Sequence, residues 1–195
     1  MVRVALATKN PGKVREIAAI ITDAPVELVG PDPSWTPPPE DDGTYLGNAL
    51  EKARSLAAAM GIPCLADDSG IEVDALGGRP GPRSARFAGE DATDAANLTK
   101  LIDALAGLSD EQRTARYRCV AVLVTPDGAQ CVAEETVEGR IILEPRGSGG
   151  FGYDPGFVAI GETRTMAELT PQEKDAISHR GKAFRALVPA LRALT

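Results

Sequence analysis

The chain has one histidine, one tryptophan and three cysteines among its 195 residues, and aromatic residues make up only 4% of it. With His179 as the single imidazole and no Cys-x-x-Cys spacing, a nitrogen- or sulfur-rich metal centre lacks ligands. Cys64, Cys119 and Cys131 are odd in number and lie in apolar runs, which fits buried free thiols in a reducing compartment better than a disulfide framework. No apolar run is long enough to span a bilayer, and Val4-Ala5-Leu6-Ala7 is too short for the core of a signal peptide. A cytoplasmic protein with no membrane partner is therefore expected. Positive charge is also scarce: 21 Lys and Arg stand against 28 Asp and Glu, a net charge of −7. That balance argues against a general nucleic-acid binder, which must neutralise many phosphates. It leaves room for a small phosphorylated ligand, which needs only a few local cations. Two catalytic signatures are missing as well, the Gly-x-x-x-x-Gly-Lys-Ser/Thr phosphate loop and the Gly-x-Ser-x-Gly nucleophile elbow.

What is present suits one globular domain spanning residues 1–195, with 43% hydrophobic and 25% charged residues. Residues 2–7 read as a strand that stops at Thr8-Lys9-Asn10-Pro11-Gly12-Lys13. Asn10 suits a helix N-cap and Pro11 the first helical position, and Val14, Ile17, Ala18 and Ile21 follow at helical spacing. A proline-rich loop at 31–43 precedes a second helix, marked by Leu46, Ala49, Leu50, Ala53, Leu56, Ala57 and Met60 and ended by Gly61. Residues 62–66 read as a strand feeding Asp67-Asp68. Residues 77–89 hold too many breakers for regular structure, and Leu98, Leu101, Ile102 and Leu105 mark a third helix. Residues 116–125 and 129–137, joined by Pro126-Asp127-Gly128, read as a hairpin. Thr170-Pro171-Gln172-Glu173 is a capping box, and a last helix over 182–194 should kink or restart at Pro189. A parallel βαβ start followed by a hairpin gives an α/β class with a mixed sheet flanked by helices.

Four constellations carry chemistry. Asp67 and Asp68 close an apolar run, and carboxylates so placed hold a cation, a proton or a basic partner, or else cap a turn into Gly70. An all-oxygen site favours magnesium or manganese. Thr8 to Lys13 sits where a strand meets a helix N-terminus, where free N–H groups, the helix dipole and two lysines favour an anion. Residues 147–152 match the Gly-x-Gly-x-x-Gly dinucleotide fingerprint, but Pro155-Gly156 opposes the helix that fingerprint requires. The segment reads instead as a loop presenting Phe151, Tyr153 and Asp154, able to stack on a nucleobase and accept its hydrogen bonds, with an anchoring role for Tyr153 as the alternative. Lys174, His179 and Arg180 offer donors at a helix junction, suited to keto oxygens or a phosphate. The residues alone thus reach a magnesium-dependent site for a phosphorylated, base-containing small molecule, without fixing the reaction.

Five blocks in order, Thr-Lys-Asn-Pro-Gly-Lys, Ala-Asp-Asp-Ser-Gly, Pro-Gly-x-x-Ser-Ala-Arg, Gly-Gly-Phe-Gly-Tyr-Asp-Pro and Ser-His-Arg-Gly, run from residue 8 to residue 181. Together they resemble the non-canonical purine nucleoside triphosphate pyrophosphatases, the inosine triphosphatase or Ham1-like family. The resemblance implies hydrolysis of dITP, ITP and XTP to the monophosphate and pyrophosphate, which clears deaminated purines from the nucleotide pool. It also implies a homodimer and an elongated mixed sheet with two lobes and a central substrate cleft. Carried over by position, Asp68 is the proton acceptor and a magnesium ligand supported by Asp67, with Mn2+ as a possible substitute for Mg2+. Glu40 falls at a second metal-associated carboxylate. Thr8, Lys9, Asn10, Pro11, Gly12, Lys13, Lys52 and Ser69 fall on the phosphate side, and Phe151, Gly152, Tyr153, Asp154, Lys174, His179 and Arg180 on the base side.

Two departures stand out. Asp42 occupies a place where the family more often has glycine, so Glu40, Asp41 and Asp42 remain alternatives for the metal carboxylate. Pro82-Arg83 is unusual within its block. Competing readings are a pyrophosphatase for other bases, akin to the Maf-like enzymes, and a nucleotide-binding regulator that performs no chemistry.

Overall fold

A computed structural model describes residues 1–194. Its centre is one six-stranded sheet with strand order β2-β1-β3-β4-β5-β6. The strands are β1 (Val2–Leu6), β2 (Val26–Val29), β3 (Cys64–Val73), β4 (Thr114–Val124), β5 (Gln130–Ile141) and β6 (Phe157–Ala159). β1 pairs in parallel with β2 and with β3, while β5 and β6 pair antiparallel, so the expected mixed α/β sheet is present. By its contacts the chain divides into two compact units. One comprises Met1–Asp68, Cys119–Glu135 and the segment from Arg180 onward; the other comprises Ser69–Arg118 and Thr136–His179.

The first unit is layered because successive strand side chains point to opposite faces. Val4, Leu6, Leu65, Cys119, Ala121 and Leu123 pack with Ile17 of α1 (Pro11–Ile20) and Phe184, Leu187 and Leu191 of α5 (His179–Arg192). Their neighbours Ala5, Cys64, Ala66, Val120 and Val122 join the other cluster, with Ala49, Ala53 and Leu56 of α2 (Tyr45–Met60). The second unit has its own core, where Leu98, Leu101 and Leu105 of α3 (Asp94–Leu105) meet Ile71, Val73, Tyr117, Ile141 and Phe157.

The local signals read in the sequence act as expected at three helix ends. Asn10 caps α1 with its side chain, Gly61 closes α2 at φ 65°, and Thr170 forms a capping box with Glu173 at α4 (Pro171–Ile177). Four boundaries differ. β3 continues through Asp67, Asp68, Ser69 and Gly70 to Val73, so the aspartates lie inside a strand instead of closing one or capping a turn. β2 was not marked by the sequence, because four residues give too little alternation to register. α5 starts at His179 and runs through Pro189; burial of Phe184, Leu187 and Leu191 holds it while proline removes one donor. The breaker-rich stretch contains a short 3₁₀ segment, Gly81–Arg86.

Gly139 stands opposite Ala159 in the β5–β6 ladder, where a Cβ would overlap the Val158 carbonyl and crowd the Phe157 ring. Gly139→Ala is therefore expected to lower unfolding free energy by about 1–3 kcal/mol. Urea denaturation with an unchanged slope checks this, and an unaltered midpoint would contradict it.

Candidate active site

Adjacent residues on one strand face opposite ways, so Asp67 and Asp68 have different nearest partners. Asp67 follows Leu65 toward α1 and α5. Its Oδ2 accepts from Arg180 Nε and Nη2, both at 3.3 Å, and lies 3.0 Å from the Lys13 ammonium. The Cys119 thiol lies 3.9 Å from the same oxygen. Arg180 Nη1 donates to Glu16 at 2.6 Å, completing a buried ladder of alternating charge. Burial alone would raise the pKa of Asp67, but Lys13, Arg180 and Lys52 outweigh it and hold the carboxyl well below its usual value.

Asp68 follows Ala66 toward α2. Asn48 Nδ2 donates to its Oδ2 at 2.9 Å, and Lys52 Nζ lies 3.7 Å from its Oδ1. Asn48 and Lys52 are four residues apart and so lie one turn apart on α2. The Lys52 ammonium also donates to Glu40 Oε1 at 2.6 Å. Burial pushes the Asp68 pKa up; Lys52 and Asn48 oppose this, while Glu40 adds to it. Two neighbouring carboxyls are thus driven in opposite directions, the arrangement that separates a fixed anion from a group able to exchange protons.

Glu40 and Asp68 already share one cationic ammonium, which bears on the expected magnesium. Among Glu40, Asp41 and Asp42, Glu40 is the one bonded to Lys52, while Asp42 accepts from Thr44 Oγ1. Among the described residues no group of three His, Cys, Asp or Glu side chains is arranged to hold a metal ion. Magnesium is commonly held by one or two carboxylates with the remaining positions left to water and substrate phosphates. An oxygen-only pair beside the buried, unpaired Asn48 Oδ1 fits that pattern.

The segment at the start of α1 is more committed than its sequence suggested. Asn10 Oδ1 accepts from Gly12 N at 2.8 Å and Lys13 N at 3.2 Å, and Thr8 Oγ1 accepts from Asn10 N at 3.2 Å. Lys9 and Pro11 are exposed, Gly12 is buried, and the half-buried Lys13 leans on Asp67. Ser69 follows Asp68 in β3 and is half-buried.

In the second unit, the Gly-rich segment ends in a single 3₁₀ turn, Asp154–Gly156, so no helix opens as a dinucleotide fingerprint would need. Tyr153 proves to be the anchor: it is buried and its hydroxyl donates to the Ser84 carbonyl at 2.7 Å. Asp154 is buried too, and both its oxygens are engaged. Oδ1 accepts from Tyr117 Oη at 3.1 Å; Oδ2 accepts from Lys174 Nζ at 2.6 Å and from Phe151 N at 2.9 Å. The Lys174 ammonium also lies 4.9 Å from the centre of the half-buried Phe151 ring. The Gly152 amide donates to Asp94. His179 stacks on Tyr117 with ring centres 4.6 Å apart and planes 3° from parallel.

Arg180 donates to Asp67 and Glu16 and so braces the acidic strand. Tyr117, unremarked in the sequence, touches both His179 and Asp154. Its only sequence signal is a tyrosine set between Arg116 and Arg118 in a strand, a period that puts it on the face opposite the arginines, where a buried hydroxyl needs a partner.

The sequence matches the model of the Ham1 family over residues 4–190. It is 52% identical over 198 residues to the dITP/XTP pyrophosphatase of Streptomyces coelicolor, covering 100% of this chain and 99% of that protein. Against the dITP/XTP pyrophosphatase of Escherichia coli K12 the identity is 47% over 195 residues, covering 98% and 99%. The solved structure of a HAM1 protein from Coxiella burnetii matches with a TM-score of 0.87 at 39% identity, over 99% of this chain and 100% of that one.

Removing the Asp67 charge leaves Arg180 and Lys13 without their buried counter-ion. Asp67→Asn is expected to cost about 3–5 kcal/mol of stability. A depressed native pKa contributes stability that is complete above the unfolded value of about 3.9 and fades as pH falls below it. The wild-type advantage, measured by denaturation at several pH values, should therefore be full near neutrality and shrink below about pH 4. Equal stabilities at pH 7 would contradict this.

Proposed function

The chain belongs to the Ham1 family, and on that premise we propose that it hydrolyses non-canonical purine nucleoside triphosphates, dITP, ITP and XTP, to the monophosphate and pyrophosphate. The observation that carries the chemistry is Asp68: a buried carboxyl with a raised pKa, fixed by Asn48 and facing Lys52 and Glu40. Such a group accepts a proton from an attacking water more readily than an ordinary aspartate does. Asn48 holds the Asp68 carboxylate in one orientation. Lys52 and Lys13 carry charge toward the triphosphate and the departing pyrophosphate, and the start of α1 adds its dipole. Glu40 and Asp68 are the residues that would hold magnesium, which when bound offsets triphosphate charge and polarises the reacting phosphoryl group.

For the base, the reading assigns Phe151 a stacking face and Lys174 and His179 the donor roles. Donors aimed at a 6-keto oxygen favour hypoxanthine and xanthine over adenine, since a 6-amino group leaves them unmatched, and guanine is disfavoured by a 2-amino group left unfavourably placed. Asp154 keeps the ammonium of Lys174 in place, and Tyr117 sets the plane of His179. A homodimer working in the cytoplasm completes the reading; the free, buried thiols of Cys64 and Cys119 suit a reducing compartment.

The test is pyrophosphate release from dITP, XTP, dGTP and dATP with magnesium. Release from dITP and XTP well above the other two is expected, with a loss of about 100-fold or more in Asp68→Asn. No magnesium-dependent release from any of the four would contradict the reading, as would full activity in the variant. Tyr117→Phe keeps the ring stack and removes the hydroxyl bond to Asp154. It is expected to raise KM for dITP about threefold to tenfold with little change in kcat, and an unchanged KM would count against the role given to Asp154.

A further inference from the structure

α2 is capped by Thr44, whose hydroxyl accepts from Gly47 N at 3.0 Å. A capping box places Glu or Gln at that third helical position, where its side chain reaches back over the cap. Here the position is Gly47, and the first turn of α2 contains no acidic residue. The missing carboxylate is supplied from outside the helix. Asp42 accepts a hydrogen bond from the Thr44 hydroxyl, and its carboxylate lies against Gly47 so closely that a Cβ there would overlap it. By accepting that hydrogen bond, Asp42 turns the hydroxyl's lone pair toward the Gly47 amide and brings negative charge to the positive end of the helix.

We propose that Asp42 and the vacant side-chain position of Gly47 form a lock that positions Glu40 for catalysis. Glu40 lies two residues before Asp42, and the chain turns between Asp42 and Thr44 through Gly43 at φ 80°. Asn48 and Lys52 lie beyond the same cap, bonded to Asp68 and Glu40. Closing the cap with a residue from the incoming loop therefore ties that loop to the helix whose lysine Glu40 must meet. A box closed by a residue at position 47 would cap the helix and leave the loop untied. The proposal rests on the functional reading above for its kinetic consequence, not for its structural one.

The test is a cycle of Asp42→Ala, Gly47→Ala and the double variant. It is read by the magnesium dependence of pyrophosphate release from dITP and by amide hydrogen exchange of residues 40–48 in ligand-free protein. Wild-type release tests the functional reading, whereas the exchange arm needs no turnover. Asp42→Ala is expected to speed exchange at Gly47 and across residues 40–44, and to raise half-saturating magnesium about fivefold to tenfold with a smaller change in kcat. Gly47→Ala, which by helix propensity alone should only help α2, is expected to raise half-saturating magnesium as well, because it expels the Asp42 carboxylate. The double variant should then be no worse than Asp42→Ala, the signature of one shared interaction. Additive losses, or an Asp42→Ala protein with wild-type exchange, would overturn the lock. So would a Gly47→Ala protein with unaltered magnesium dependence.

Discussion

The period of two along a β-strand is the constraint on which this site depends. Because β3 runs unbroken through Asp67 and Asp68, neighbouring carboxylates must enter opposite faces of the sheet. On one face Asp67 meets Lys13 and Arg180; on the other Asp68 meets Asn48 and Lys52. A turn at that point would have let the two groups share one environment and one counter-charge. The strand instead gives each its own nearest partners, although Lys52 still lowers Asp67 and Lys13 Asp68 from across the sheet, so that one carboxylate stays an anion that ties α1 and α5 to the sheet while the other is raised toward proton exchange.

The division has an energetic logic. A buried charge that lacks a partner is costly, and Asp67, Arg180, Lys13 and Glu16 offset one another's charge, with all of the partners of Asp67 gathered on its Oδ2. At Asp68 the Lys52 ammonium is divided between it and Glu40, and burial outweighs the cation. That balance costs stability and suits the proton-accepting role proposed for Asp68. The second unit repeats the device in milder form: Asp154 is fully engaged by Lys174, Tyr117 and the Phe151 amide, which fixes donors and an aromatic edge without presenting the carboxylate itself.

Much of this was legible in the sequence, for identifiable reasons. Helix ends announce themselves through local chemistry, so Asn10, Gly61 and the Thr170 box were readable without tertiary knowledge. The class of sheet followed from the order of elements. What escaped depends on packing. Whether β3 stopped at Asp68 could not be read from residues that rarely occupy strands, because their pairing is tertiary. Arg180 lies 113 residues from Asp67, and no spacing rule reports such a contact. The role of Tyr117 likewise depends on which side chains its ring and hydroxyl meet. Asp42 showed in the sequence only as a departure, and its meaning depends on the empty space at Gly47.

The account turns on two adjacent carboxyls having opposite fates, and site-resolved carboxyl NMR titration of the ligand-free protein measures this directly. Asp67 is predicted to remain ionised to well below the ordinary carboxylate range, with Asp68 taking up its proton at distinctly higher pH than a model aspartate. Two carboxyls titrating together near the ordinary value of about 3.9, or Asp67 protonating first, would contradict the division of labour on which the mechanism is built.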